Sequence, residues 1–278
     1  MDSFFKLYKS YEPVDVSGWE INPIPAAGRF PKLELSDQGK RYIIKFAAYK
    51  QNGLEIPYHI SEYISCRILK SLGYDVQDVA LAIFRERPGC LIKTFDDSLI
   101  TFNGLGPSTM SQENLIYDLD ALSNLFNEGK YDSDFDIYLW DTFLCDAFIN
   151  NLDRHPNNWG FFKSNGVYKQ APLFDCASSL YSVNAFSLNK MIDIEDYVNK
   201  YGNSAIYYKG ERHTFKSIIT NEKSEIFAAR LNNFVSNIGR INFSSLNTVS
   251  RIWPLYSDYL DFVGAFLEKQ VIWFESIV

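Results

Sequence analysis

Three polar residues stand at the ends of apolar stretches and define the chemistry open to this chain. Asp153 and Asn158, in Asn151-Leu152-Asp153-Arg154-His155-Pro156-Asn157-Asn158-Trp159-Gly160, have four residues between them. Asp175, in Pro172-Leu173-Phe174-Asp175-Cys176, follows Asn158 by seventeen positions. A polar group at the end of an apolar element is costly unless it is satisfied or used. An Asn and an Asp on neighbouring backbone segments supply the few oxygen ligands that magnesium takes from a protein. A further Asp can accept or orient the proton of an incoming hydroxyl. Together these are the parts that transfer of a phosphoryl group from magnesium-ATP requires.

The spacing by itself is weak, because Asp and Asn also cap and turn chains. The combination is stronger. In protein kinases the order is Asp-x-x-x-x-Asn followed, after a short hairpin, by a magnesium-binding Asp. This chain keeps that order and adds His155 and Gly160. With no second His or Cys at ligand spacing, His155 reads as an imidazole that holds the loop rather than as a metal ligand or base. His59 and His213 show no partner pattern.

A phosphate-binding site also needs a cation and a carboxylate that holds it. Lys45 lies in the apolar strand Tyr42-Ile43-Ile44-Lys45-Phe46, and Glu62 is expected in the first turn of the following helix, in Ser61-Glu62-Tyr63. They are the expected ion pair. The competing reading places Lys45 on an exposed strand edge and explains Glu62 by the preference of acids for a helix N-terminus. Ahead of Lys45, Pro25-Ala26-Ala27-Gly28-Arg29-Phe30-Pro31-Lys32 is the candidate phosphate loop. Small residues beside Gly28 admit backbone amides to phosphate, and Arg29 and Lys32 add charge.

The elements that must position these residues follow from periodicity. Leu33–Leu35 and Arg41–Phe46 predict a hairpin turning at Ser36–Lys40. Ile60, Ile64, Ile68 and Leu72 predict a helix over 59–72, closed by Gly73. Strands are expected at 78–84 and 89–95, separated by Arg85-Glu86-Arg87-Pro88. Helices are expected at 111–127 and at 134–150, the latter with Ile137, Trp140, Leu144, Ala147 and Phe148 on one face. Strand-like pieces follow at 160–163 and 168–174, and the chain beyond about 189 reads as mostly helical, ending in the apolar segment Leu260–Phe274. The expected class is α+β: a small strand-rich lobe over 1–95, a larger helical lobe over 96–278, and a cleft between them.

Composition agrees. Hydrophobic residues make up 46% and charged residues 22% of 278, enough for a sizeable core. The net charge of −7 argues against nucleic acid and against an anionic membrane surface. Cys66, Cys90, Cys145 and Cys176 are widely and irregularly spaced, which predicts reduced, buried thiols. The start of the chain lacks a signal peptide's basic and apolar regions, and no stretch approaches a membrane span. A cytoplasmic protein is expected, with export by a route that needs no signal peptide left open.

Asp153-Arg154-His155-x-x-Asn158-x-Gly160 with Pro172-Leu173-Phe174-Asp175 resembles the HipA-like serine/threonine kinase family. Ala27-Gly28-Arg29-Phe30-Pro31-Lys32-Leu33 is similar to its Gly-x-x-Pro-Lys phosphate loop, Glu62-Tyr63 with Leu69–Val76 to its helix and exit, and Ile92-Lys93-Thr94-Phe95-Asp96 to its hinge. The resemblance covers about residues 25 to 190. It implies a bilobal kinase fold with Asp153 as catalytic base, Asn158 and Asp175 as magnesium ligands, Lys45 as the phosphate-binding lysine, and Lys93 and Phe95 in the segment that holds adenine. It implies a protein substrate carrying Ser or Thr. It also implies, for toxin-type members, an antitoxin or regulatory partner, and for others a life as secreted effectors. The chain resembles the compact, kinase-core members that lack an extra N-terminal subdomain. Its phosphate loop has no Ser or Thr, so self-inhibition by phosphorylation there is not expected. Asp175 is followed by Cys176-Ala177, not Phe-Gly, and no Ala-Pro-Glu follows. Two other readings stand beside this one. A lipid or small-molecule kinase uses a similar Asp-Arg-His-x-x-Asn loop, and a pseudokinase would bind without transferring, although it would not need Lys45, Asp153, Asn158 and Asp175 together.

Overall fold

The structure, a computed structural model, describes residues 11–23, 31–95, 99–101, 119–120, 135–164, 167–183 and 206–278. Gly28 and Arg29, and nearly all of the helix expected at 111–127, lie outside the described residues; 119–120 are helical.

The first part of the chain builds a six-stranded sheet. Its strands are β1 (Val14–Asp15), β2 (Glu20–Ile21), β3 (Lys32–Asp37), β4 (Lys40–Lys45), β7 (Val79–Phe84) and β8 (Arg87–Lys93), in the order β1-β7-β8-β4-β3-β2. β1 runs parallel to β7 and the other pairs are antiparallel. The short pair β5 (Ala48–Tyr49) and β6 (Glu55–Ile56) leads into helix α1 (Tyr58–Ser71). Both expected hairpins form, with tighter turns than their sequences suggested. Gln38-Gly39 and Arg85-Glu86 are two-residue turns with positive φ at both positions, 50° and 76°, then 48° and 66°. That geometry matches the twist of the flanking strands. Pro88 therefore belongs to β8, opposite Ile83.

The alternation along β4 sorts the sheet into two faces. Tyr42 and Ile44 point into a small core with Leu35, Ala80, Ala82 and Leu91. Ile43 and Lys45 face the other way, where Val79, Leu81, Cys90 and Ile92 pack on α1 and join the main core. Helix α1 ends as expected, with Gly73 at φ +92° just past it.

Helix α2 (Phe135–Ile149) is buried all round from Tyr138 onward rather than on one face, and Ile137 lies at the surface. It can be so because α4 (Glu225–Ile238) and α6 (Ser257–Glu275) both pack on it. Between and around them run α3 (Phe215–Asn221) and α5 (Ser244–Ile252), the latter against α1. The expected strand-like pieces form a hairpin of β10 (Gly160–Ser164) and β11 (Val167–Gln170). Two features of this part were not expected. β9 (Leu99–Thr101) adds to that hairpin as a third strand, paired with β10. A hairpin of β12 (Ile206–Tyr208) and β13 (Glu211–His213) interrupts the helical region. Residues 171–174 form no strand, apart from a bridge between Leu173 and Val76. Among the described residues all four cysteines are buried and free, and no helix is long and apolar enough to cross a membrane.

Candidate active site

Lys45 ends β4 with its side chain only 7% exposed. Its Nζ lies 2.7 Å from Glu62 Oε2 and 2.6 Å from Asp175 Oδ1. One ammonium thus joins the sheet, α1 and the segment carrying Asp175. Glu62 is fully buried in the second turn of α1, and the first turn has no acidic residue. A preference for the helix start does not explain it. Its Oε1 accepts from the Cys176 amide at 3.1 Å and from Gln77 Nε2. Burial is the largest influence on Lys45 and opposes its charge, but Asp175 and Glu62 outweigh it and hold the ammonium well above the ordinary lysine range. Burial likewise pushes Asp175 up, and Lys45 overrides it and holds the carboxyl below the usual range. Both shifts agree: the pair is ionised.

Lys32 stands directly opposite Lys45 across the β3–β4 hairpin. Burial, then the charge of Lys45, pull its ammonium below the ordinary value. Two lysines so placed are destabilising unless an anion lies between or beside them.

The loop after α2 is built on a buried ion pair. Asn150 leaves the helix at φ +52°. Asp146, in the last turns of α2, accepts from Arg154 Nε at 2.9 Å, Arg154 Nη2 at 2.8 Å and Asn151 Nδ2 at 2.8 Å. Arg154, 1% exposed, spends its remaining Nη1 hydrogens on two backbone carbonyls, Asn158 O at 2.9 Å and Phe174 O at 2.6 Å. One guanidinium therefore ties the Asn158 segment to the residue preceding Asp175. Asn158 donates Nδ2 to Asp153 O at 2.9 Å, a bond that leaves its Oδ1 unused. Lys45 takes one oxygen of Asp175, leaving Oδ2. Asn158 Oδ1 and Asp175 Oδ2 are hard oxygens in the small number magnesium uses, and they fit that ion. Asp175 itself sits at φ +59°, a region non-glycine residues seldom occupy.

Asp153 is partly exposed. Its Oδ2 accepts from Ser178 Oγ at 3.2 Å. The His155 backbone makes the turn, with its amide on Asp153 O at 3.0 Å and its carbonyl accepting from Asn158 N at 2.8 Å. The imidazole Nδ1 is buried without a hydrogen-bond partner among the described residues. The main chain of His155 thus makes the turn of this loop.

Lys93 ends β8, and Phe95 lies two residues beyond it. With Arg41, Lys70, Asp78 and Phe162 they help line a cavity of about 600 Å³ in which Lys45, Glu62, Asp153, Asn158 and Asp175 take no part. The Lys93 amide is used on Asp78 O at 3.1 Å. The Phe95 ring packs edge-on against Phe162 and Phe174, with centroids 5.7 and 5.6 Å away. The sequence reading also left Asp146, Gln77 and Ser178 without a part, and took Arg154 only as a letter of the motif. Asp146 carries the same signal that singled out Lys45, a charge inside an apolar run; Ser178 carries none.

A family model described as the HipA-like C-terminal domain matches residues 24–230. In sequence the chain is 32% identical over 185 residues to the serine/threonine-protein kinase CtkA of Helicobacter pylori, a stretch that makes up 60% of this chain and 56% of that protein. The match thus spans little more than half of the relative's length. Among solved structures, the proinflammatory kinase CtkA of Helicobacter pylori superposes with a TM-score of 0.73 at 22% identity, covering 95% of this chain and 98% of that one. HipA, from the toxin–antitoxin complex of HipA, HipB and operator DNA of Shewanella oneidensis MR-1, gives 0.51 at 18% identity over 94% of this chain and 67% of that one. These likenesses establish the architecture, an α+β kinase fold with a strand-rich N-terminal part and a helical C-terminal part. The family model takes in the Lys45, Asp153, Asn158 and Asp175 segments, and the chain belongs to the HipA-like C-terminal domain family.

Proposed function

We propose that this chain is an ATP- and magnesium-dependent protein kinase acting on serine or threonine, with residues 1–95 and 96–278 as its two lobes. The observation that carries the reading is the single buried Lys45, bound at once to Glu62 and Asp175, beside a loop that Arg154 holds to the same segment. Magnesium-ATP supplies the γ-phosphoryl group and, through the cation, neutralises charge on it during transfer. Asn158 Oδ1 and Asp175 Oδ2 are the oxygens offered to the cation. Lys45 and Lys32, with Gly28 and Arg29 ahead of them, bind phosphate oxygens, and Glu62 keeps Lys45 oriented. The segment of Lys93 and Phe95 holds the adenine edge, and His155 shapes the loop. Asp153 would accept the proton of the acceptor hydroxyl as its oxygen bonds the γ-phosphorus and the bond from that phosphorus to the β–γ bridging oxygen breaks, so that ADP leaves with the bridging oxygen and the proton passes to solvent.

The relatives' names favour a protein acceptor: one is called a serine/threonine-protein kinase, and the other is solved with a HipB partner. An antitoxin-like or regulatory partner and work in the cytoplasm, where ATP is plentiful, belong to the same proposal. The test is transfer from labelled ATP with magnesium into a host-cell lysate, wild type beside Asp153→Asn. Labelled protein bands with wild type alone are expected, and Asp153→Asn should still bind nucleotide, whereas Asp175→Asn should weaken magnesium-ATP binding as well. Equal labelling by Asp153→Asn would sink the assignment of the base. Nucleotide binding with no labelled protein would move the acceptor to a lipid or small molecule.

A further inference from the structure

We infer that Ser178 is a positioning residue for the reaction: its hydroxyl fixes the Asp153 carboxylate so that one oxygen faces the acceptor. The inference rests on Asp153 being the base. Asp153 has its main chain pinned at both ends, its amide on Asn151 Oδ1 at 3.4 Å and its carbonyl under Asn158 Nδ2 at 2.9 Å. Those bonds place the Cα but leave the side-chain torsions free to turn in their staggered wells. Among the described residues, the contact that acts on the carboxylate itself is Ser178 Oγ to Oδ2, at 3.2 Å. With Oδ2 engaged, Oδ1 is the oxygen left to receive a proton. A hydroxyl donating to an ionised carboxylate is a charge-assisted bond, stronger and more directional than a neutral one.

A group can position another only if it is itself held, and the segment around Ser178 is held on every side. The Cys176 amide is bound to Glu62 Oε1 at 3.1 Å. Ser179, fully buried, has its carbonyl under Ser61 Oγ at 2.8 Å and its own hydroxyl against those of Ser61 and Ser65, at 3.0 and 2.6 Å. Ser182 Oγ closes the turn on Ala177 O at 3.0 Å. Leu180 donates its amide to Ile149 O at 2.8 Å and accepts from Tyr259 at 3.0 Å. Leu180 and Tyr181 both take positive φ, 52° and 55°, which turns the chain away immediately after Ser178. The turn is thus seated on α1, through the same helix face that carries Glu62. Lys45 and Asp153 are oriented from one platform: Glu62 steadies the phosphate cation, and Ser178, 116 positions further along the chain but next to the serine that packs on α1, steadies the base. Ser178 is itself half-buried, and the bond to Asp153 is its own hydroxyl's contact; the neighbouring serines, by contrast, spend theirs on the turn.

The experiment measures transfer from labelled ATP with magnesium to casein and to water, together with thermal unfolding and intact mass, for wild type, Ser178→Ala and Ser178→Thr. The expected result is a fall in kcat of about 10- to 100-fold for Ser178→Ala, an unchanged KM for ATP, a melting temperature near that of wild type, and recovery of most of the rate in Ser178→Thr. That split separates orientation of the base from binding or folding. Wild-type kcat in Ser178→Ala would overturn the inference and leave the kinase reading standing. A loss of rate that follows a loss of fold, with no recovery by Thr, would make Ser178 merely structural and overturn it too. Phosphate found on Ser178 itself would make it an acceptor instead. If Asp153→Asn, run beside these variants, keeps the wild-type rate, the reading of Asp153 fails and the inference fails with it.

Discussion

Lys45 carries a charge to a place where burial opposes it, and two carboxylates keep it there. Taking away one member of such a group costs more than the pair's net worth, because the other charges stay behind without compensation. Lys45→Met should therefore lower unfolding free energy by about 3 kcal/mol and abolish transfer. The Lys45→Met, Glu62→Gln double variant should be less destabilised than the sum of its parts, since the stranded charge on α1 is gone. Urea unfolding of the four proteins measures this, and additive losses would mean that Glu62 and Lys45 do not interact. The pH behaviour follows from the signs of the two shifts. The value for Lys45 is raised on folding, so its contribution is complete below the ~10.4 of an unfolded lysine and fades as pH rises through the folded value. The value for Asp175 is lowered, so its contribution is complete above ~3.9 and is lost as pH falls through the folded value. Lys45 and Asp175 are both charged across the neutral range.

The elements explain the motif glycine. Gly160 opens β10, and a Cβ there would come within 2.7 Å of Leu99 Cδ1 and 2.8 Å of Phe174 Cε1. Leu99 belongs to β9 and Phe174 precedes Asp175, so a methyl group would push directly on the segment that carries the carboxylate. Gly160→Ala should cost about 1–3 kcal/mol, as overpacking does, and should lower transfer more than a surface substitution of equal cost. A crystal structure of the variant with Phe174 unmoved would contradict this account. The same elements show what a sequence discloses. Lys45 was legible because it breaks a strong local pattern, a cation in a β-branched strand, and Glu62 because it follows on the next helix, although only the structure places it beyond the first turn. The three strands of the small sheet were only partly legible: β10 and β11 are joined by a short turn, whereas β9 is three residues long and pairs with a partner some sixty positions away. The β12–β13 hairpin had a readable turn in Lys209-Gly210, with φ of 52° and 75°, directly after Ile206-Tyr207-Tyr208, and the helical texture around it hid it. Ser178 was not legible at all. Its contact with Asp153 exists only once the turn at Leu180 and Tyr181 has formed.

At the scale of the molecule, α1 is the shared piece, since it holds Glu62 toward the sheet and packs on the C-terminal helices with its other side. His59, 1% exposed, marks that second contact. Its ring lies 6.0 Å from that of Trp253 and 5.5 Å from that of Tyr256, and Tyr256 donates its hydroxyl to Glu55 at 2.5 Å. Burial first, and then the charge of Arg87, push the imidazole down to about 3. An unfolded histidine titrates near ~6.5. Between those values the unfolded chain binds a proton that the folded chain refuses, so stability falls as pH drops, by about 1.4 kcal/mol per unit. Above the unfolded value there is no such loss, and below the folded value no further one. Between pH ~6.5 and ~5 wild type should lose about 2 kcal/mol more than His59→Phe, whatever the variant's stability at neutral pH. Urea midpoints at those two pH values give the difference. Equal slopes would mean that α1 meets the C-terminal helices through a histidine that stays in contact with water, and that the acid sensitivity of the fold has its source elsewhere.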